Sequence, residues 1–320
     1  MKIINNLRLP KFTVIQIVII IIFEFSFNSC AQNITPINAN IVRLETDLTI
    51  ITKSDDYRNF RNSKALNRVS EYIFAELNKV CDTVYFQTFE VRGTTYRNVI
   101  GSINSKATNR IVIGAHYDVE GASEGADDNA SGVAGVLELA RLLSSQKLNR
   151  SIDFVAYCLE EPPYFGTKNM GSYMHAKYLN DNKIAVEGMI CLEMIGYFSD
   201  EPDSQNYPIK LLKYFYGTKG NYITVVNKYS NGNFAKNFSR KMTAQKLLPT
   251  KKFSGSAKIT GLDFSDHRNY WEFGYSAVMI TNTAFYRNPN YHKETDKLET
   301  LDLNRMTLVI EEVYRSIISL

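Results

Sequence analysis

The stretch Ile111-Val-Ile-Gly-Ala-His-Tyr-Asp118 decides the fold, because a short apolar run ends abruptly in polar side chains. A predicted helix, residues 131–143, follows it. The apolar face of this helix consists of Val133, Val136, Leu137, Ala140 and Leu143. A second apolar run comes next, at residues 152–157. A strand, a helix and a strand in this order predict two parallel strands joined by a crossover helix.

The same alternation extends to both sides of this unit. Further strands are predicted at 84–91, 98–101, 189–192, 223–226 and 277–280, and further helices near 62–80 and over 303–320. No linker interrupts the pattern, so residues 32–320 are predicted to form a single domain. Its fold class is a three-layer α/β/α sandwich with a mixed, mainly parallel central sheet. Residues 198–262 have the weakest pattern, and part of them is expected to form loops that rim the site.

Residues 1–31 are predicted to be an export signal. Its basic start consists of Lys2, Arg8 and Lys11. The apolar run Phe12–Phe23 has 12 residues, fewer than the roughly 20 that span a membrane, and this is typical of a signal peptide. Cleavage before Gln32, lipidation of Cys30 and an uncleaved anchor are all open. Each predicts an exported bacterial protein, which is periplasmic, an outer-membrane lipoprotein or secreted.

Composition excludes several classes of protein. The 320 residues are 44% hydrophobic and 22% charged, which is typical of a globular protein and not of a disordered one. The net charge is +4, and +2 without residues 1–31, which hold three basic residues and one acidic residue. That balance argues against nucleic acid as the main partner. Cys81, Cys158 and Cys191 are too few for a disulfide framework, although a Cys158–Cys191 bridge stays open.

Polar side chains follow four of the predicted strands. In chain order they are His116 and Asp118, then Glu160 and Glu161, then Glu193, and finally Tyr291 and His292. In an open α/β sheet, ligands bind beyond the carboxyl ends of the strands. The sequence therefore predicts one site at this edge of the sheet.

The small-residue loop 121–132 adds acidic side chains to that edge. A polar side chain at the start of a helix accepts a hydrogen bond from a free backbone N–H. Asp128 or Asn129 is expected in this capping role for the helix that follows. Asp127 lies further upstream, and we predict it to be a metal ligand.

A mixed set of histidines and carboxylates favours zinc or a similar divalent ion. The candidate ligands are His116, Asp127, Glu161, Glu193 and His292. One ion needs about three protein ligands, so five suit two ions about 3.5–4 Å apart with one bridging carboxylate. His267 competes with His292 for the last position.

Two further carboxylates are expected to assist the metal site. Asp118 lies two residues beyond His116 on the same face of the strand, where it can accept the second ring N–H of that histidine. Glu160 and Glu161 are adjacent and can divide two tasks. One can hold a metal ion while the other takes a proton from water.

Six motifs in this order resemble the co-catalytic zinc aminopeptidases of peptidase clan MH. They are GAHYD at 114–118, GADDNASGVAG at 125–135, EE at 160–161, LEMIGY at 192–197, SDH at 265–267 and YHKETD at 291–296. Together they span roughly residues 98–302. Relatives in the clan include bacterial leucyl aminopeptidases, glutamate carboxypeptidase and glutaminyl cyclases. The stretches EEPPYFGT and TAFYRNPNYH are similar to an exported bacterial subgroup of M28-like peptidases.

The resemblance implies an exported metallo-exopeptidase, in the first place an aminopeptidase, with two zinc ions per chain and peptides as substrates. It implies that Asp127 bridges the ions, that His116 and Glu193 complete one of them, and that Glu161 and His292 complete the other. It implies Glu160 as the general base, Asp118 as the residue that orients His116, and Tyr291 as a stabiliser of the oxyanion. It also implies a cis peptide between Asp127 and Asp128. Membrane contact is expected only through a lipid on Cys30 or an uncleaved signal.

Glu193 departs from the pattern, because many relatives have aspartate there. The extra methylene keeps the charge and shifts the geometry of that ligand. Two alternatives stay open at this point: a glutaminyl cyclase-like aminoacyltransferase with one zinc ion, and a catalytically silent binding relative. The complete set of five candidate ligands argues against both.

Overall fold

The computed structural model describes residues 38–53 and 56–320, and residues 38–320 form one compact unit. The predicted export signal, including Cys30, lies outside the described residues. Within the described part, no helix has the length and apolar character needed to cross a membrane.

A mixed sheet runs through this unit. Its strands are β1 (Thr83–Val91), β2 (Thr94–Ile103), β3 (Arg110–His116), β4 (Ser151–Tyr157), β5 (Gly188–Glu193), β6 (Ile223–Lys228), β7 (Thr250–Gly255) and β8 (Ala277–Thr281). Their spatial order is β1-β2-β4-β3-β5-β8-β6-β7. The pairs β3–β4, β3–β5, β5–β8 and β6–β7 are parallel, and β1–β2, β2–β4 and β6–β8 are antiparallel. The predicted α/β fold class is confirmed.

Helices cover both faces of the sheet. They are α1 (Ile41–Thr52), α2 (Ser63–Leu77), α3 (Gly132–Ser144), α4 (Gly171–Asp181), α5 (Lys213–Tyr216), α6 (Gly232–Gln245), α7 (His267–Glu272) and α8 (Leu303–Ile318). On one face, α1, α2, α6 and α8 contact one another or α3. On the other face, α4 and α7 pack on the sheet through a buried core that includes Ala176, Leu179, Tyr270 and Trp271.

Hydrophobic spacing predicted the main elements and missed the more polar ones. The predicted helices 62–80, 131–143 and 303–320 correspond to α2, α3 and α8. The sequence analysis did not predict α1, α6 or β7. The strand β7 reads TKKFSG and lies at the sheet edge, where most of its residues are only partly buried. An edge strand that faces water has little need of apolar residues, so its pattern is weak.

The three cysteines of the described part are free thiols. Cys158 and Cys191 are both buried. They therefore pack as small hydrophobic residues, and no Cys158–Cys191 bridge forms.

Candidate metal centre

The carboxyl ends of the central strands place the predicted side chains at one edge of the sheet. His116 is the last residue of β3, and Glu193 is the last residue of β5. Glu160 and Glu161 follow β4, and His292 lies in the loops beyond β8. The parallel strands β4, β3, β5 and β8 are neighbours, so their carboxyl ends deliver these groups to one place.

Asp128 lies at the middle of the cluster. Its Oδ1 is 3.4 Å from His116 Nε2, and its Oδ2 is 3.3 Å from His292 Nε2. Glu193 Oε2 is 3.4 Å from His116 Nε2, and Glu161 Oε2 is 3.2 Å from His292 Nε2. Each oxygen of Asp128 thus faces one histidine, and each histidine also lies against a glutamate. Asp128 therefore connects the two histidine–glutamate pairs.

The prediction that Asp127 bridges the ions is wrong. Its Oδ1 accepts hydrogen bonds from the backbone N–H groups of Gly196 and Tyr197, at 2.9 and 3.1 Å. Its Oδ2 accepts from the side-chain amides of Asn282 and Asn288, both at 2.7 Å. Both oxygens of the Asp127 carboxylate are therefore occupied by hydrogen bonds outside the cluster. These hydrogen bonds support the backbone that carries Asp128.

The turn after these aspartates also differs from the expectation. The cis peptide lies between Asp128 and Asn129, one residue later than predicted. Asn129 is the capping residue, because its Oδ1 accepts from Gly132 N at 3.0 Å and from Met194 N at 3.1 Å. Of the two capping candidates, Asn129 is confirmed and Asp128 is not.

Asp118 positions the ligands through its backbone and its side chain. Its carbonyl oxygen lies 3.2 Å from His116 Nδ1, which leaves Nε2 to face the cluster. Its carboxylate lies 3.6 Å from the same Nδ1 and accepts from the backbone N–H groups of Glu160 and Glu161, both at 3.1 Å. One aspartate thus fixes both the histidine and the turn that carries the two glutamates.

Glu193 is held by hydroxyl and amide donors. Ser265 Oγ donates to Glu193 Oε2 at 2.6 Å, and Asn129 Nδ2 donates to the same oxygen at 3.3 Å. The extra methylene of Glu193 is therefore accommodated by partners that direct its carboxylate towards His116. Ser265 belongs to the SDH motif at 265–267, although no sequence pattern predicted this particular contact.

The backbone is in an unusual conformation beside three of these side chains. Leu159 precedes Glu160 and has a φ of 64°, Met194 follows Glu193 and has a φ of 52°, and His292 itself has a φ of 58°. Non-glycine residues seldom adopt this left-handed region, and those that do cluster at functional sites. The fold thus holds strained backbone where the polar groups meet.

The negative charge of the cluster calls for a cation. Burial raises the pKa of Glu160 well above its usual range, and the carboxylates of Glu161 and Glu193 raise it further. Burial and the carboxylate of Asp128 likewise raise the pKa of Glu161 to about 8. Within the described residues, the buried oxygens Asp128 Oδ2 and Glu161 Oε1 have no hydrogen-bond partner. Buried, unpartnered carboxylate oxygens beside imidazole nitrogens fit a divalent ion such as zinc.

The cavity beside this cluster has a volume of about 260 Å³. Tyr291 lines it and stacks on His292, with 3.8 Å between the ring centres. Residues from 198–262 also line it, including Tyr207, Tyr216 and Tyr222. The expectation that part of this segment rims the site is confirmed.

His267 does not face the cluster. It is fully buried, and its Nε2 lies 2.9 Å from the carbonyl oxygen of Leu262. Burial lowers its pKa to about 4. Of the two competing histidines, His292 is the one that the fold brings to Asp128.

Arg58 and Asp296 support the loop that carries Asp128. Arg58 is 2% exposed, and its guanidinium donates to the carbonyl oxygens of Tyr117 and Gly125, at 2.8 and 2.7 Å, and also to that of Glu124. The carboxylate of Asp296 accepts from the backbone N–H groups of Asp127 and Asp128, at 2.9 and 3.0 Å. Sequence reasoning missed both. Asp296 ends the YHKETD motif, which offered a signal, whereas Arg58 lies outside every motif.

Replacing Arg58 with alanine is expected to lower the free energy of unfolding of the metal-free protein by about 2–4 kcal/mol, since buried carbonyl oxygens lose their donors. Urea unfolding measures this. Arg61→Ala is the matched control, because Arg61 is exposed and should change stability by less than about 0.5 kcal/mol. Equal losses in the two variants would contradict the bracing role of Arg58.

Comparison with known proteins gives one family match. The family model described as Peptidase family M28 matches residues 98–316. This range contains each of the six motifs and the whole cluster around Asp128. Arg58 lies before it.

Two curated relatives illustrate the range of similarity. The uncharacterized protein YfbL of Escherichia coli K12 is 38% identical over 287 residues, which are 87% of this chain and 88% of YfbL. A probable leucine aminopeptidase of Trichophyton verrucosum is 26% identical over 253 residues, which are 73% of this chain and 60% of the fungal protein. The chain therefore spans about 60% of the length of that fungal relative.

Solved structures share the fold. The Legionella pneumophila LapA aminopeptidase has a TM-score of 0.68 at 20% identity and covers 87% of this chain and 71% of its own. A Bacteroides thetaiotaomicron glutaminyl cyclase has a TM-score of 0.66 at 19% identity, with coverage of 88% and 98%. A zinc aminopeptidase from Bacillus subtilis has a TM-score of 0.55 at 24% identity, with coverage of 71% and 51%. At these identities the likeness shows the fold alone.

Proposed function

The chain belongs to peptidase family M28 and is a hydrolase of the exopeptidase type, and on this basis we propose that it is an exported aminopeptidase with two zinc ions. The observation that carries the proposal is the position of Asp128, whose two oxygens each face one histidine. Each of these histidines also lies against one glutamate, Glu193 for His116 and Glu161 for His292. Glu160 lies beside this group, with Oε2 3.9 Å from His116 Nε2.

The donor set supports the division of ligands between two ions. His116 and Glu193 would hold one ion, Glu161 and His292 would hold the other, and Asp128 would contact both. When bound, two such ions polarise the scissile carbonyl and make water acidic enough to attack at neutral pH. Asp118, Ser265 and Asn129 keep the ligands in place through the hydrogen bonds described above.

Glu160 serves as the general base in this proposal. Its carboxylate takes one proton from the attacking water while the water oxygen bonds to the carbonyl carbon. It then returns that proton to the peptide nitrogen as the C–N bond breaks, so that a free amine leaves. Tyr291 lines the same cavity beside His292, where its hydroxyl can donate to the carbonyl oxygen as negative charge develops there.

The charges of the cavity favour an amino terminus as the bound end of the substrate. Among the described residues, the charged groups that line it are Asp128, Glu160, Glu161, Glu193 and His292, with no lysine or arginine. A peptide amino group is a cation, and no lysine or arginine of this lining repels it. A carboxyl terminus would need a cationic partner in the same cavity, so we favour an aminopeptidase over a carboxypeptidase.

The test uses a peptide with a free amino terminus and the same peptide with an acetylated one. We expect the zinc-loaded protein to release the first residue of the free peptide only, and to lose this activity when a chelator removes the metal. Cleavage of the acetylated peptide, or release from the carboxyl end, would contradict the proposal.

A peptide that begins with glutamine separates hydrolysis from cyclisation. The glutaminyl cyclase fold likeness motivates this control. An aminopeptidase releases free glutamine, whereas a cyclase releases ammonia and leaves a pyroglutamyl peptide. Mass spectrometry distinguishes the products, and a pyroglutamyl product without free glutamine would favour the cyclase.

Export belongs to the proposal as well, and the basic start and short apolar run of residues 1–31 support it. Mass spectrometry of the protein from its bacterial host should find a chain that begins at Gln32 or at a lipidated Cys30. An intact first residue in a cytoplasmic fraction would contradict export.

A further inference from the structure

Basic residues are concentrated in one part of the chain. The 59 residues from Ser204 to Leu262 contain ten lysines, one arginine and no acidic residue. This segment therefore carries +11, while the whole chain carries +4, so the remainder carries −7. Among the described residues, none of these eleven cations forms an ion pair.

Exposed apolar side chains lie within the same segment. Ile209 and Leu211 are 47% and 60% exposed, and Tyr214 and Phe215 are each 75% exposed. Lys210 and Lys213 alternate with them and are also exposed. We call Ile209, Lys210, Leu211, Lys213, Tyr214 and Phe215 the basic-apolar patch. A cluster of large apolar groups in water is unusual and marks an interaction surface.

The basic-apolar patch lies at the mouth of the cavity. Leu212 and Tyr216, from the same short segment, line the cavity. Tyr216 also fixes the segment to the edge strand β7, because its hydroxyl donates to the carbonyl oxygen of Lys252 at 2.8 Å. Lys252 is exposed and adds a further positive charge next to the patch.

We propose that the basic-apolar patch docks on the surface of a membrane that contains anionic phospholipids. Interfacial segments combine lysines, which attract lipid headgroups, with aromatic and aliphatic side chains, which enter the boundary with the acyl chains. The patch has both, and the sequence segment 204–262 that contains it has no acidic residue. Docking turns the mouth of the cavity towards the lipid surface. This contact is additional to any lipid on Cys30, and it does not depend on the proposed peptidase activity.

Other partners fit these observations less well. A peptide substrate would contact the side of the segment that carries Leu212 and Tyr216, whereas Tyr214 and Phe215 are exposed to water. Nucleic acid is bound mainly by arginines, lysines and stacking rings. The patch has no arginine, and its Ile209 and Leu211 suit acyl chains rather than bases.

A tryptophan at position 214 can report the contact directly. Trp271 is the single tryptophan of the chain and is 7% exposed, so its emission is insensitive to added lipid. We expect the full-length Tyr214→Trp variant to shift its fluorescence to shorter wavelength with vesicles that contain one-third phosphatidylglycerol. Pure phosphatidylcholine vesicles should give a much smaller shift. An unchanged emission with both vesicles would overturn the proposal.

Charge reversal tests the role of the lysines. Lys210→Glu/Lys213→Glu should weaken binding to the anionic vesicles more than tenfold, since each lysine near such a surface contributes about fivefold. Lys64→Glu/Lys147→Glu makes the same charge change at exposed positions elsewhere. All variants keep residues 1–31, so any contribution of that segment is the same in each.

The outcomes separate the possible occupants. Loss of vesicle binding in the patch variant alone, with a thermal unfolding temperature equal to that of the wild type, supports the proposal. Equal losses of vesicle binding in both double variants would show that net charge alone causes the effect, and this would overturn the proposal. Unchanged vesicle binding with a raised KM for long peptides would overturn it in favour of a peptide-binding surface.

Discussion

Replacement of Glu160 by glutamine is expected to lower kcat by a factor of at least about a hundred, and up to about ten thousand, because a general base typically contributes this much. The amide has the same shape as the carboxylate and cannot take a proton from water. Since Glu160 is outside the group of side chains that face Asp128, the zinc content of the variant should stay at that of the wild type. Elemental mass spectrometry and peptide hydrolysis measure the two quantities.

The matched control is Glu294→Gln. Glu294 lies two residues from His292 and is exposed, so the same chemical change there should leave kcat within about twofold. If Glu160→Gln kept full turnover, Glu160 would not be the base. If it lost zinc as well as activity, Glu160 would be a ligand.

Asparagine at position 128 is expected to lower the zinc content from about two ions per chain to less than one, because the bridging position loses its charge and one of its two oxygens. The metal-free variant should unfold at no lower temperature than the metal-free wild type. The substitution removes one buried negative charge from a group of carboxylates. The metal-free fold therefore loses electrostatic repulsion between these carboxylates and no stabilising interaction.

The Asp127→Asn substitution should have the opposite effect and lower the stability of the metal-free protein. An amide there would turn its NH₂ group towards the donors of Asn282 and Asn288 or towards those of Gly196 and Tyr197, so at least one buried donor would lose its acceptor. We expect a loss of about 3 kcal/mol in the unfolding free energy of the metal-free protein. If Asp127→Asn emptied the site without a loss of stability, and Asp128→Asn did not, the assignment of the two aspartates would be reversed.

Sequence periodicity predicted seven of the eight strands and the helices α2, α3 and α8. The strand ends at His116, Glu161 and Glu193 were visible as apolar runs that stop at polar residues, and these residues do meet in the structure. This works because a buried strand must be apolar, and because parallel strands end at the same edge.

The choice between Asp127 and Asp128 could not be made in this way. Both are buried, both are acidic, and they are neighbours in a loop of small residues. What separates them is the direction of each side chain, which depends on the turn at Asp128–Asn129 and on donors at Asn282 and Asn288. Such contacts join segments more than 150 residues apart, and no local pattern encodes them.

Arg58 is a second residue whose role no sequence pattern could predict. Its three acceptors are backbone carbonyl oxygens, which any residue type supplies, so the sequence around Tyr117 and Gly125 carries no mark of it. An isolated arginine in a polar stretch reads as a surface residue. Only the folded chain reveals that its guanidinium is buried.

The position of β8 in the sheet has a consequence for the order of synthesis. β5 and β6 do not pair with each other, and both pair with β8, so residues 277–281 join the two halves of the sheet. His292 lies eleven residues later still. A chain that is still emerging from the ribosome therefore lacks the joining strand until residue 281 has been made, and it lacks the second histidine until residue 292 has been made. The two halves of the sheet and the proposed metal site can therefore come together only late in synthesis.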